Sequence, residues 1–166
     1  MRGASTARIS VLRDETGTSL RSFDLAAGPL TAKASGKLAT GGSALSAEVS
    51  LTDLSALGGT YGGSTALKAS FEGTPDNGRL TLDGTARSLR IGNPAADRIL
   101  AGNTTLSARI GLRNGAIEVD QASLANPQAS LSVNGQLEGA VRRLAIDARL
   151  ANLGLILPDL QGPLTL

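Results

Sequence analysis

From Gln128 to Leu150 apolar and polar positions alternate. Ala129, Leu131, Val133, Gly135 and Leu137 are separated by Ser130, Ser132, Asn134 and Gln136. After a break at Glu138-Gly139-Ala140, Leu144, Ile146, Ala148 and Leu150 alternate with Ala145, Asp147 and Arg149. A period of two places successive side chains on opposite faces of a pleated strand. The stretch therefore predicts a hairpin with one apolar and one polar face.

Most of the chain repeats this texture. Ala7, Ile9 and Val11 mark a first strand. The next, residues 19–25, is less regular, with Phe23 and Leu25 on one face and Leu20 on the other. Leu30, Ala32, Ala34, Gly36 and Leu38 follow, then Leu45, Ala47, Val49 and Leu51, then Leu67, Ala69 and Phe71, then Leu80, Leu82, Gly84 and Ala86. At Ser88-Leu89 the parity flips to Leu89 and Ile91, as a β-bulge produces. Leu106, Ala108, Ile110 and Leu112 resume the pattern, and Ile117 and Val119 return after Asn114-Gly115. Residues 151–166 are apolar on both parities, and a last strand is expected at Gly162-Pro163-Leu164.

The breaks are rich in turn residues. Asp14-Glu15-Thr16-Gly17, Gly28-Pro29, Gly41-Gly42, residues 58–63, Thr74-Pro75-Asp76-Asn77-Gly78 and Asn126-Pro127 all read as turns, with Asn77-Gly78 and Asn114-Gly115 suited to positive φ. Asn134-Gly135 is kept inside its strand because the alternation runs through it. One helix is expected, at residues 94–101: Asn93 suits the N-cap, Pro94 the first helical position and Gly102 the end. Polar-Leu pairs (Asp24-Leu25, Asp53-Leu54, Ser88-Leu89, Ser123-Leu124 and Asn152-Leu153) recur at roughly hairpin spacing, and Gly-Pro-Leu occurs at Gly28 and at Gly162. This predicts a stacked array of hairpins rather than a closed barrel.

Composition narrows the chemistry. The 166 residues contain 21 Gly, two Phe, one Tyr, no Trp, no Cys and no His. Thiol nucleophiles, imidazole bases, disulfides and the usual zinc and copper ligands are thereby excluded. The net charge is +2 and the basic residues are scattered; with so few aromatic rings to stack on bases, no nucleic-acid partner is expected. Glu118 and Asp120 form the one carboxylate pair worth weighing for glycoside hydrolysis, but a solvated sheet face accounts for it, and no enzymatic activity is expected. Asp83, Asp120 and Asp147 lack the tight spacing of a calcium loop. Gly58 to Gly63 lacks the Gly-Lys-Ser/Thr ending of a phosphate loop and reads as a turn. Arg142-Arg143 reads as solvated. No cofactor or metal is expected.

What remains is the apolar face. Its expected lining is Leu45, Val49, Leu51, Leu67, Phe71, Leu80, Leu82, Leu106, Ile110, Leu112, Ile117, Val119, Leu131, Val133, Leu137, Leu144, Ile146 and Leu150. Pattern alone leaves two arrangements open. Either this face is a dry core, between two sheets or inside a solenoid, or it stays open on a curled sheet and holds a flexible apolar guest. The expected fold is all-β: one long, curled, mainly antiparallel sheet forming a hydrophobic groove, with the short helix near 94–101. Residues 1–166 are expected to form a single segment of a larger protein.

The runs DLSALGGTYGGS (53–64), LRIGNPAADRILAGNTTLSA (89–108) and ARLANLGLILPDLQGPL (148–164) resemble the TamB family, the inner-membrane subunits of the translocation and assembly module, and share their texture with AsmA-like proteins. The resemblance implies a periplasmic, β-taco-like groove in a parent protein anchored in the inner membrane. It implies phospholipid acyl chains, flanking groove segments of the parent chain and an outer-membrane barrel subunit as partners. The function it implies is lipid conduction between the membranes in support of outer-membrane protein assembly. Two alternatives stand beside it: a chaperone-like groove for unfolded outer-membrane β-strands, and a dry structural β-solenoid.

Overall fold

A computed structural model of the chain describes residues 5–15, 17–39, 41–114, 116–138, 141–155 and 162–165. The strands are β1 (Ser5–Asp14), β2 (Gly17–Ala27), β3 (Leu30–Leu38), β4 (Ser43–Leu51), β5 (Gly62–Gly73), β6 (Asn77–Arg90), β7 (Asn103–Arg113), β8 (Ala116–Ala125), β9 (Ala129–Glu138), β10 (Val141–Leu150) and β11 (Leu164–Thr165). They form one antiparallel sheet in the order β1 to β11, each strand paired with its neighbour in sequence. The sheet curls like a groove and does not close. The one α-helix, α1 (Pro94–Ile99), lies between β6 and β7; 3-10 turns at Leu54–Leu57 and Leu153–Leu155 lie between β4 and β5 and between β10 and β11.

A meander follows from the local signals. Alternation favours half-buried strands, and each connection is short enough to return beside its predecessor. Thr74 N–H donates to Asn77 O at 2.8 Å, and Thr74 Oγ1 accepts from Asn77 N at 3.0 Å. This closes the β5–β6 turn one step earlier than the Asn-Gly pair predicts. Asn77 and Gly78 already belong to β6, and Gly73 takes the positive φ, 110°. At α1, Asn93 Oδ1 accepts from the amides of Ala95 (3.0 Å) and Ala96 (3.1 Å), as an N-cap should. The helix ends at Ile99 with Leu100 as its cap, two residues short of the expected Ala101; Gly102, at φ 92°, lies just beyond.

The predicted repeat is only partly structural. Asp53-Leu54 and Asn152-Leu153 occupy matching places: Asp53 Oδ1 accepts from Ser55 N and Asn152 Oδ1 from Gly154 N, each at 2.9 Å, opening the two 3-10 turns. The two Gly-Pro-Leu tripeptides match as well, with Leu30 and Leu164 each beginning a strand. Asp24-Leu25, Ser88-Leu89 and Ser123-Leu124 instead lie within strands, where alternation alone accounts for them. The expected turn residue Gly115, the break at 139–140 and residues 156–161 of the apolar tail lie outside the described residues.

The two rims of the sheet differ. One carries the tight turns β1–β2, β3–β4 and β5–β6. The other carries Gly28-Pro29, α1, both 3-10 turns and Asn126-Pro127. Asn126 ties this second rim together. Its Nδ2 donates to Ile99 O at 2.9 Å, while its Oδ1 accepts from the amides of Gln128 (2.9 Å) and Ala129 (2.7 Å). Gly135 shows how close the strands come. Its φ is 144°, and a Cβ there would run into the carbonyl oxygen of Arg143 on β10. Gly135→Ala is expected to cost about 1–3 kcal/mol in urea denaturation, through strained backbone and displacement of β10. An unchanged midpoint would mean that this close approach is absent in solution.

Candidate functional site

The pairing register decides where every apolar side chain goes. Directly paired residues share a face, so rows can be followed from strand to strand. One row runs Val11, Leu20, Gly36, Leu45, Phe71, Leu80, Ile110, Val119, Gly135, Leu144. A second runs Ile9, Phe23, Ala34, Ala47, Ala69, Leu82, Ala108, Ala122, Val133, Ile146, and a third Ala7, Leu25, Ala32, Val49, Leu67, Gly84, Leu106, Leu124, Leu131, Ala148. Toward the tight-turn rim, Leu112, Ile117 and Leu137 are in register. Toward the helical rim, Leu30 faces Leu51, and Ala129 faces Leu150. All the apolar residues expected to line one surface therefore do lie on one face. Ten strands at about 4.8 Å make it roughly 43 Å long.

Bulges keep ten strands in phase. At β2 two residues, Arg21 and Ser22, oppose Ser35 of β3, so Leu20 falls on the same face as Phe23 and Leu25. This corrects the expected split of Leu20 from Phe23. At β8 the register shifts across Asp120-Gln121, bringing Ala122 and Leu124 to the face already holding Ile117 and Val119. At β6 the predicted bulge is present: Ser88 has φ 49°, and the β5–β6 register shifts between Gly62 and Ser64. The extra residue carries Leu89 back to the apolar face although its sequence parity has changed, while Ile91 lies just beyond the end of β6. Leu20, Phe23, Leu25 and Leu124 are thus lining residues absent from the sequence-based set. The signal was a parity change within a strand, beside a polar pair.

Nothing in the described structure covers this face. Each strand's substantial contacts are with its sheet neighbours, and no second layer of strands or helix lies on it. Among the described residues only Leu51, Ala86 and Leu150 are buried apolar side chains, each 8% exposed, and no side chain falls below 2%. Leu45, Leu67, Phe71, Leu80, Leu82, Leu106, Ile110, Leu112, Val119, Val133 and Leu137 are half-buried. Val49, Ile117, Leu131, Leu144 and Ile146 are exposed, Ile146 at 57%. The total accessible surface is 10936 Å², against about 7,600 Å² for a compact monomer of this mass. A dry core between two sheets is therefore not the arrangement.

Glycines shape the floor of this surface. Leu67 leans over Gly84, where a Cβ would come within 2.5 Å of its Cδ2; Phe71 leans over Gly78 and Leu45 over Gly36 in the same way. Leu20, Ala34, Leu45, Ala69, Phe71 and Leu80 line a shallow depression of about 230 Å³. Large side chains resting on glycine hollows lower the relief of this wall.

The opposite face is polar. Arg8, Asp24, Lys33, Glu48, Lys68 and Asp83 form a registered row of alternating charge across six strands, continued by Ser107, Ser123, Ser132 and Asp147. Lys68 Nζ lies 2.9 Å from Glu48 Oε1, and Ser107 and Ser123 hydroxyls are 2.8 Å apart. Glu118, weighed above as an acid–base group, is engaged: Oε2 lies 3.0 Å from Arg113 Nη1 as an ion pair without an aligned hydrogen bond, and Oε1 accepts from Gln136 Nε2 at 3.2 Å. Asp120 sits exposed at the bulge. Asp83 and Asp147 are four strands apart, and no three acidic side chains converge among the described residues. Residues 58–61 form a turn, and Gly62 and Gly63 begin β5. Arg143 is exposed; the side chain of Arg142 lies outside the described residues. No described helix is long and apolar enough to cross a membrane.

Comparison with family models, curated proteins and solved structures finds no match to this chain.

The Glu48–Lys68 contact is testable in isolation. The hydrogen bond and the charge of Lys68 hold the Glu48 carboxyl below the ordinary glutamate value, and Glu48 raises Lys68 in turn. A depressed folded-state carboxylate stabilises above its unfolded pKa, and that contribution is lost as pH falls through the folded value. Lys68→Gln should return Glu48 toward its ordinary pKa in an NMR titration. The small stability difference between variant and parent should vanish at acid pH, and a difference that persists there would have another origin.

Proposed function

We propose that this chain is a non-enzymatic segment of a lipid-conducting groove in which phospholipid acyl chains lie along the apolar face and slide. The observation that carries this reading is the in-phase apolar surface spanning ten strands with no protein layer on it. An apolar area of that length in water is unfavourable by roughly 25 cal/mol per Å², and monomeric proteins rarely expose one without a partner. Acyl chains match it well. They are flexible, need no directional contact, and can shift along a wall of Leu, Ala, Val and Ile without breaking hydrogen bonds. The polar face keeps the other side in water.

The resemblance to the TamB family supports the same reading and supplies its setting: a periplasmic segment of a parent protein anchored in the inner membrane, with flanking groove segments at the sheet edges and an outer-membrane barrel subunit as partner. β1 suits such continuation. It is exposed along its length, with Ile9 at 65% and Val11 at 57%, and its side away from β2 has no partner among the described residues. That edge also favours the second reading, in which an unfolded β-strand is guarded by edge pairing.

A charge on the open part of the face separates conduction from structure. Leu82→Asp, flanked by Ala69 and Ala108, and Ile146→Lys should leave Tm within about 5 °C of the parent. Lipid retained through purification, read by native mass spectrometry, should fall about tenfold or more because a charge is set against hydrocarbon. Leu51→Asp, at a buried position, should unfold the sheet. If Leu82→Asp and Ile146→Lys unfold it as well, the face is a core; if they keep the fold and the lipid, acyl chains do not lie there.

A further inference from the structure

The two outer strands of the sheet complement each other. β1 is ten residues long, has no proline and is exposed throughout, and its side away from β2 has no partner among the described residues. The extra residue at the β1–β2 register shift belongs to β2, so β1 itself is unbroken. β10 is exposed from Arg143 to Asp147, and β11 pairs with it only at Arg149 and Leu150. Edge strands that must stay single are blunted by proline, bulges or cover; these two are not. The row from Ile9 to Ile146 shows what is missing. Its ends are 65% and 57% exposed, while Phe23, Leu82 and Val133 between them are half-buried. The charge row ends in opposite signs: it begins with Arg8 on β1 and closes with Asp147 on β10, and neither has an ion pair among the described residues. Ten strands of alternating direction leave β1 and β10 antiparallel to each other.

We infer that copies of this chain join end to end, β10 of one pairing with β1 of the next so that Asp147 lies beside Arg8 of the second copy. The same register sets Ile146 beside Ile9, Leu144 beside Val11 and Ala148 beside Ala7, so each apolar row continues on the same face. Because β11 already takes Arg149 and Leu150, the new ladder runs from Ala148 to Arg143. It stops there, since the next pair would bring Arg142 to Arg13. Charge selects this register. A slide of two positions one way sets Arg8 against Arg149; the other way sets it against Ala145 and leaves Asp147 against Thr6. A slide of one would turn every apolar row to the wrong face. The contact is heterologous, so the same step repeats and gives an open series instead of a closed dimer. The inference concerns the edges and is independent of what lies on the apolar face. In a longer parent chain, a flanking segment would compete with the second copy for the same edges.

The test is sedimentation velocity on the 166-residue chain at low salt, where exposed charges are least screened. The average mass of the parent should rise with concentration and pass that of a dimer. Arg8→Glu and Asp147→Arg change exposed side chains and should keep the parent circular dichroism and Tm. Each variant alone sets like charges at the junction and should associate about tenfold more weakly than the parent. An equimolar mixture of the two sets opposite charges at every mixed junction and should recover the parent's association. A parent that stays monomeric overturns the inference. So does a parent that stops at a dimer and ignores both substitutions, because its copies then meet through their apolar faces. If both variants weaken association and the mixture does not recover it, Arg8 and Asp147 do not meet, and the proposed register is wrong.

Discussion

The structure depends on phase. A pleated strand changes face with every residue, so a slip of one position between neighbours would turn an entire strand's apolar set toward the wrong side. Here ten consecutive strands hold the same phase through nine hairpin registers, and the apolar face exists only because they do. Tight turns set some of those registers. Where the intervals do not come out even, a bulge absorbs the odd residue. The bulges at Arg21-Ser22, Ser88 and Asp120-Gln121 are thus corrections that keep one side of the sheet continuous.

A sheet with so little buried side-chain area must be held differently from a globular domain. The backbone ladder and half-buried cross-strand pairs carry it, with each strand dependent on two neighbours. The polar face contributes specificity. Its row of alternating charge, from Arg8 through Asp24, Lys33, Glu48 and Lys68 to Asp83, sets opposite signs side by side only in the native register. Such exposed pairs add little stability individually, but a slip of two positions would lose them all, setting each charge against Ser, Thr or Ala. Stability of this kind is modular, and exposed strands such as β1 depend on whatever pairs with them.

Openness and asymmetry together shape the functional reading. A filled interior would have needed large rings or a second layer over the leucines. Instead Leu45, Leu67 and Phe71 rest on glycines of adjacent strands, giving a low, continuous wall. Such a wall favours guests that slide over those that must be oriented. The rims then supply the distinction the wall lacks. One rim turns tightly, while the other carries α1, both 3-10 turns and Asn126. An amphiphile on this sheet would meet two different borders.

The sequence by itself determined the strands, most of the turns, the capped helix at Pro94 and the membership of the apolar face, because alternation, Asn caps and Gly-Pro breaks are local signals. Asn134-Gly135 could be kept inside β9 for the same reason. It did not determine the phase at Leu20 or Leu124, since a bulge is set by the partner strand's register and leaves only a parity change in the chain. Nor did it determine whether Leu82, Val133 and Ile146 meet other side chains or water. Alternation reports that one face is apolar, while cover is a question of layers, and only the tertiary structure decided that no layer of the described chain lies over it.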